Sequence, residues 1–172
     1  VEKAFDEILS LHGRLDAVVA AAGVNIAERS WSRLGVEGYR EILQANLDGV
    51  FHCIRAALPA LRRQSCGTVI AINSEAGRTA TAKAGAAYVA AKFGLAGLIQ
   101  SLNAEERAHG IRGVSIFPGD VSTPLLDRRP EPPSVEARAR MVQPEDIAAC
   151  VYLALTLPPR AIIEELVIRP AG

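Results

Sequence analysis

The chain reads as an α/β protein built on a doubly wound parallel sheet with about four strands. Short, almost wholly apolar runs at 15–22, 68–73, 114–117 and 163–168 have the composition of strands covered on both faces by helices. Between them lie longer segments with apolar residues at helical spacing. The two kinds alternate strictly, the order that produces parallel strands joined by crossover helices.

Each element has its own signal. Ala4, Phe5, Ile8, Leu9 and Leu11 recur at helical spacing, and Gly13 stops that helix. Leu15 to Ala22 follows as a strand ending at Gly23. From Val36 to Arg63 the pattern is helical, with Ile42, Leu43, Leu47, Phe51, Ile54 and Leu58 inward and Pro59 as a kink or end. Thr68 to Asn73 is a strand, Gly85 to His109 a long helix closed by Gly110, and Val114 to Phe117 a strand stopped by Pro118-Gly119. Pro124 to Arg140, rich in Pro and Arg, reads as a mobile loop with one short helix. Pro144 suits the first position of a last helix, with Glu145 and Asp146 in its first turn. Ile163 to Ile168 closes as a strand.

The bulk properties exclude more than they identify. At 172 residues and 49% apolar, one domain spanning 1–172 is expected. Nineteen Lys and Arg balance nineteen Asp and Glu, so no long-range field draws the chain to nucleic acid or to an anionic membrane. Cys53, Cys66 and Cys150 are widely spaced and odd in number, which argues against a disulfide framework and a zinc site and for reduced thiols in a cytoplasmic protein. His12, His52 and His109 are not spaced as metal ligands or as a triad. No apolar stretch reaches membrane-spanning length, and the charged start (Glu2, Lys3, Asp6) does not open a signal peptide.

The chemistry concentrates in one segment. Tyr88 and Lys92 stand four residues apart on a helix, hence on one face. An ammonium there is expected to lower the phenol's pKa from about 10, turning it into an acid/base group. Ser74 precedes them, beside Glu75-Ala76-Gly77. Taken singly these residues also have ordinary readings. Tyr88 could be packing, Lys92 a solvated charge, Ser74 a turn cap, and Asn46 a surface residue.

Together with Asn46 in Ala45-Asn46-Leu47-Asp48-Gly49 and the turn Pro118-Gly119-Asp120-Val121-Ser122-Thr123-Pro124, the pattern resembles the short-chain dehydrogenase/reductase family. The match runs through essentially the whole chain. The resemblance implies an NAD- or NADP-dependent oxidoreductase that interconverts a secondary alcohol and a ketone by hydride transfer. It implies a catalytic tetrad of Asn46, Ser74, Tyr88 and Lys92, with Tyr88 handling the proton and Ser74 holding the oxygen. Lys92 would also donate to the nicotinamide ribose, and Asn46 would interrupt its helix and hold a relay water. Ala22, Gly23, Asn46, Tyr88, Lys92, Pro118, Gly119, Val121 and Thr123 would meet the cofactor. A small alcohol or carbonyl substrate would enter under the segment 124–142 as a lid, with no metal, and the family's habit implies a homo-dimer or homo-tetramer.

The chain also departs from the family pattern. No Gly-x-x-x-Gly-x-Gly precedes the first strand, where that turn would receive the pyrophosphate, so the resemblance implies an N-terminally truncated form of the domain, the C-terminal part of a Rossmann-like fold. Preference between NAD and NADP is then illegible, and a second reading stays open, a non-catalytic relative serving association. Ala20-Ala21-Ala22-Gly23 replaces the family's Asn-Asn-Ala-Gly, and the spacing from Ser74 to Tyr88 is one residue long, which points to an insertion at Lys83 or Ala84. Arg128, Arg129, Arg138 and Arg140 read as a solvated loop surface, with an anionic ligand as the alternative.

Overall fold

A computed structural model describes residues 1–171. The strands β1 (Ala17–Ala20), β2 (Gly67–Ile72), β3 (Ile111–Pro118) and β4 (Glu165–Ile168) are all parallel and lie side by side in chain order. The helices are α1 (Glu2–His12), α2 (Val36–Leu43), α3 (Gly49–Gln64), α4 (Ala86–Glu106), the short α5 (Val135–Ala139) and α6 (Pro144–Thr156). The expected α/β parallel sheet is therefore present. No helix among the described residues is long and apolar enough to cross a membrane.

Alternation along β2 separates two cores. Val69 and Ala71 point to one face, where Ile54 and Leu61 of α3 meet Leu95 and Ile99 of α4. Ile70 points to the other, where it joins Val114 and Ile116 under Ala154 of α6. Helices α3 and α4 thus cover one face and α6 the opposite one. Every strand-to-strand step moves in the same direction across the sheet, so the crossover from β3 to β4 has the opposite hand to the two before it, against the strong general preference for one hand.

Polar contacts fix the helices to this frame. Asn103 on α4 donates to Gly113 O (2.8 Å) and accepts from Gly113 N (2.6 Å), and Arg62 on α3 grips buried Glu106 on α4 with two parallel bonds. At the lower end of the sheet two left-handed residues meet: Ser65 (φ 50°) ends α3, and Gly110 (φ 74°) precedes β3. A Cβ on Gly110 would fall far inside van der Waals contact of Ser65 O. Gly110→Ala is therefore expected to cost more than ~2 kcal/mol, from the disfavoured φ and the backbone clash together. A urea midpoint equal to that of the parent chain would count against this.

Several expectations need correction. β1 is covered on one face only: Val18 and Ala20 pack into the first core, while Val19 is 44% exposed, because α6 spans β2 to β4 and does not reach it. The interruption that the resemblance implies at Asn46 is present as a π-helical turn at Gln44–Asp48, but its effect on the helix beyond departs from the apolar pattern. The extra residue rotates the whole of α3 about its axis, so Val50, Ile54, Ala57 and Leu61 form the buried stripe and Phe51, expected inward, faces out. Pro59 does not end its helix, which continues to Gln64. β3 is longer than expected and β4 shorter.

Candidate active site

A cavity of about 520 Å³ opens at the C-terminal ends of β1, β2 and β3, where ligands of open parallel sheets generally bind. Ala22 and Gly23 follow β1 into its wall, Asn73 and Ser74 follow β2, and Pro118, Gly119, Val121 and Thr123 follow β3. Tyr88 and Lys92 enter from the first turns of α4. Of the residues singled out in the sequence only Asn46 lies outside the lining, beneath it.

Close backbone approaches bring these groups together. A Cβ on Gly77 would fall 2.6 Å from Lys92 O and 2.7 Å from Asn73 Oδ1, so only hydrogen there lets α4 press against the end of β2. Gly85 opens α4 at φ 81°, and a Cβ on it would meet Arg29 at 2.6 Å. Ser74 caps a 3₁₀ turn, Glu75–Gly77, accepting from Ala76 N at 3.2 Å, and its side chain shares the pocket wall with the Tyr88 phenol. Asn46 sits inside the π-turn, fully buried, and donates from Nδ2 to Val24 O and Ile42 O, both at 2.8 Å. Its Oδ1 has no partner and faces Gly23.

Lys92 is 3% exposed. Its Nζ donates to Ile72 O at 3.0 Å and lies 5.5 Å from the centroid of the Tyr88 ring, a cation over an aromatic face. Burial lowers its pKa to about 8. Tyr88 moves against expectation. Burial raises its pKa, and the nearby Ser74 side chain with the charges of Arg29 and Arg129 only partly offsets that. The phenol of the free chain is thus fully protonated at neutral pH, because removing water from the phenolate outweighs the nearby charges.

The rim contains residues that sequence reasoning missed. Arg29, 6% exposed, comes from the loop after β1, and Asn25 in the same loop donates to Ala84 O at 3.0 Å. Asp120 binds Lys83 Nζ (2.7 Å) and Arg129 Nη2 (2.6 Å). Burial alone would raise its pKa, yet these two hydrogen-bonded cations bring it below the usual carboxylate range. Arg129 and Arg138 are not solvated as the loop's composition suggests: Arg129 lines the pocket and Arg138 pairs with Asp127. Glu75 is held by Arg169. No spacing rule links loops at 25–29, 83–84 and 120–129, although the odd spacing before Tyr88 did mark Lys83.

The segment above the pocket is tied at both ends. Val121 bridges Val142, with Ser122 N donating to Val142 O (2.9 Å) and Val142 N to Asp120 O (3.1 Å). Between these anchors lie a 3₁₀ turn (Pro124–Arg128) and α5.

Comparison with known proteins places this geometry. A family profile described as short chain dehydrogenase matches residues 1–133. Sepiapterin reductase of Chlorobaculum tepidum is 31% identical over 172 residues, which is all of this chain and 68% of that protein. Among solved structures, an alcohol dehydrogenase from the archaeon Thermococcus sibiricus, complexed with 5-hydroxy-NADP, superposes with a TM-score of 0.84 at 27% identity, over 99% of this chain and 69% of that one. A metagenomic short-chain oxidoreductase in complex with NADP gives 0.81 at 30% identity, over 99% and 68%. By this match through most of its length, on the same fold, the chain belongs to the short chain dehydrogenase family of oxidoreductases.

Proposed function

We propose that this chain carries the catalytic residues of an NAD(P)-dependent oxidoreductase that interconverts a secondary alcohol and a ketone. The observation behind this reading is the convergence of the Tyr88 phenol, the Ser74 hydroxyl and the buried Lys92 ammonium on one pocket at the strand ends. When bound, the nicotinamide supplies the hydride.

The residues present fit such a group. Lys92 has one protein acceptor, Ile72 O, for its three N–H donors, which leaves two free in a pocket where ribose hydroxyls would accept them. Asn73 Nδ2 is buried without a partner beside it. Ala22 and Gly23 offer a wall without bulky side chains, and Val121 and Thr123 stand where a carboxamide would be oriented.

The chain's own part is proton transfer and orientation. In the reductive direction Ser74 donates to the carbonyl oxygen and fixes its position, an electrostatic contribution that grows as charge develops. Tyr88, protonated at neutral pH, gives its phenolic proton to that oxygen and is left as phenolate, stabilised by Ser74, Arg29 and Arg129. In the oxidative direction the phenolate takes the alcohol proton. Asn46 holds the π-turn and the loop after β1 together, donating from Nδ2 to Ile42 O and Val24 O. The segment 124–142 serves as the lid, and Leu125 and Leu126 supply its apolar lining. Phe51 and Phe93, 44% and 45% exposed on α3 and α4, support pairing of two copies through those helices.

The test is calorimetric titration of the chain with NADH and then NADPH, followed by turnover with a panel of ketones and secondary alcohols. Micromolar binding of one of them is expected. A folded chain that binds neither would remove the catalytic reading and leave the association role. The pH dependence has a defined sign. Ketone reduction should be flat below about pH 7 and decline as Lys92 loses its proton near pH 8, while alcohol oxidation should climb with pH because Tyr88 ionises only above its ordinary value. Oxidation that levels off near pH 7 would mean a lowered phenol instead.

A further inference from the structure

We propose that the pocket selects carboxylate-bearing substrates, an oxo acid or the matching hydroxy acid, and that Arg29 together with Arg129 receives the carboxylate beside the Ser74–Tyr88 pair. This rests on the oxidoreductase reading and adds a substrate class to it.

Arg29 carries the argument. Its guanidinium is buried and donates from Nε to Ile26 O (2.6 Å), from Nη2 to Arg128 O (2.7 Å) and from Nη1 to Lys83 O at a long 3.5 Å. These acceptors are neutral carbonyls, and no carboxylate pairs with it among the described residues. They also engage only part of a fork that holds five N–H donors. A buried cation without a counter-charge is costly. Bonds to neutral carbonyls do not balance the charge that Arg29 brings into the fold. The positive charge itself needs an explanation, and the side chain lines the pocket.

The surrounding charges point the same way. Asp120 is shared between Lys83 and Arg129, and Glu75 is taken by Arg169. Around the substrate end, Arg29, Lys83 and Arg129 are therefore set against Asp120 alone. Burial and the neighbouring Arg129 both disfavour the charged form of Arg29, a repulsion that a bound anion would relieve. Both arginines line the same cavity as Ser74 and Tyr88, so a carboxylate held by them and the reacting oxygen belong to one bound molecule. A planar two-oxygen anion also suits the guanidinium fork better than a point contact.

The test compares molecules that differ only in charge. Levulinate and acetoacetate, each beside its methyl ester, are titrated into the full chain by calorimetry, with NADH and NADPH titrated into the same preparations. We expect each acid to bind at least about tenfold tighter than its ester, with the gap narrowing as salt rises. It should vanish in Arg29→Gln and persist in part in Arg29→Lys. Because Arg29 also ties loops together, Arg129→Gln is the second variant, and the gap should shrink there too. Equal affinity for acid and ester, failure of both to bind at millimolar concentration, or a gap that survives in both Gln variants would overturn the proposal. Cofactor binding without acid preference would overturn this inference alone, whereas acid preference without cofactor binding would instead remove the oxidoreductase reading.

Discussion

Tyr88→Phe should leave a folded protein that binds cofactor as the parent does and turns over about 10² to 10⁴ times more slowly, the range that a positioned acid/base group contributes. The substitution deletes one oxygen. The ring stays in place under the Lys92 ammonium, and what is lost is the hydroxyl that faces Ser74 across the pocket. The effect therefore falls on kcat and not on cofactor affinity, and the rise of oxidation with pH should disappear with the hydroxyl. Single-turnover rates beside a cofactor titration separate these quantities. A variant with parent-like turnover would sink the proposed role of Tyr88, whatever its stability.

Lys92→Met should move stability and activity in opposite directions. Burial holds Lys92 at a pKa of about 8 against an ordinary 10.5, so the ammonium is disfavoured in the folded state. Between those values the unfolded chain binds the extra proton, and stability rises with pH across that window and is flat below it. Below pH 8 the folded state carries the full penalty, on the order of 3 kcal/mol. Methionine fills similar volume without charge. Lys92→Met is thus expected to be more stable than the parent at pH 7, with the difference closing towards pH 10. The same change removes the donors proposed for the ribose and should weaken cofactor binding and rate together. Urea unfolding at pH 7 and pH 10 checks the first half: a variant less stable than the parent at pH 7 would mean that the bond to Ile72 O outweighs the cost of burial. Loss of rate with cofactor affinity intact would remove the ribose contact.

The sheet and most helix ends were legible because period and punctuation are local. Gly13 and Gly110 stop helices in the left-handed conformation, and both could be read from the chain. The apolar pattern puts Phe51 on the wrong face, because the π-turn upstream shifts the helical phase by one residue and leaves no mark in that pattern. The spacing of Tyr88 and Lys92 put them on one face correctly, yet the direction of the Tyr88 shift came out wrong. Spacing reports who the neighbours are, and burial decided the sign. Arg29 was invisible for another reason: its partners Ile26, Lys83 and Arg128 come from three separate segments, and only the closed fold makes them adjacent.

The change of hand between β3 and β4 bears on how this site could be altered. To pass from the face of α3 and α4 to that of α6, the backbone has to cross the end of the sheet, and that path runs over the pocket. The cover is thus a by-product of the winding, a handle fastened at Val121 and Val142 and sharing almost no side chains with either core. Its stretch beyond Arg129, which carries α5, can be lengthened, shortened or recomposed while the fastening, the bonds of Arg128 and Arg129 and the two cores stay intact, so the cover can be rewritten in one continuous stretch without unsettling the contacts that hold Tyr88 and Lys92.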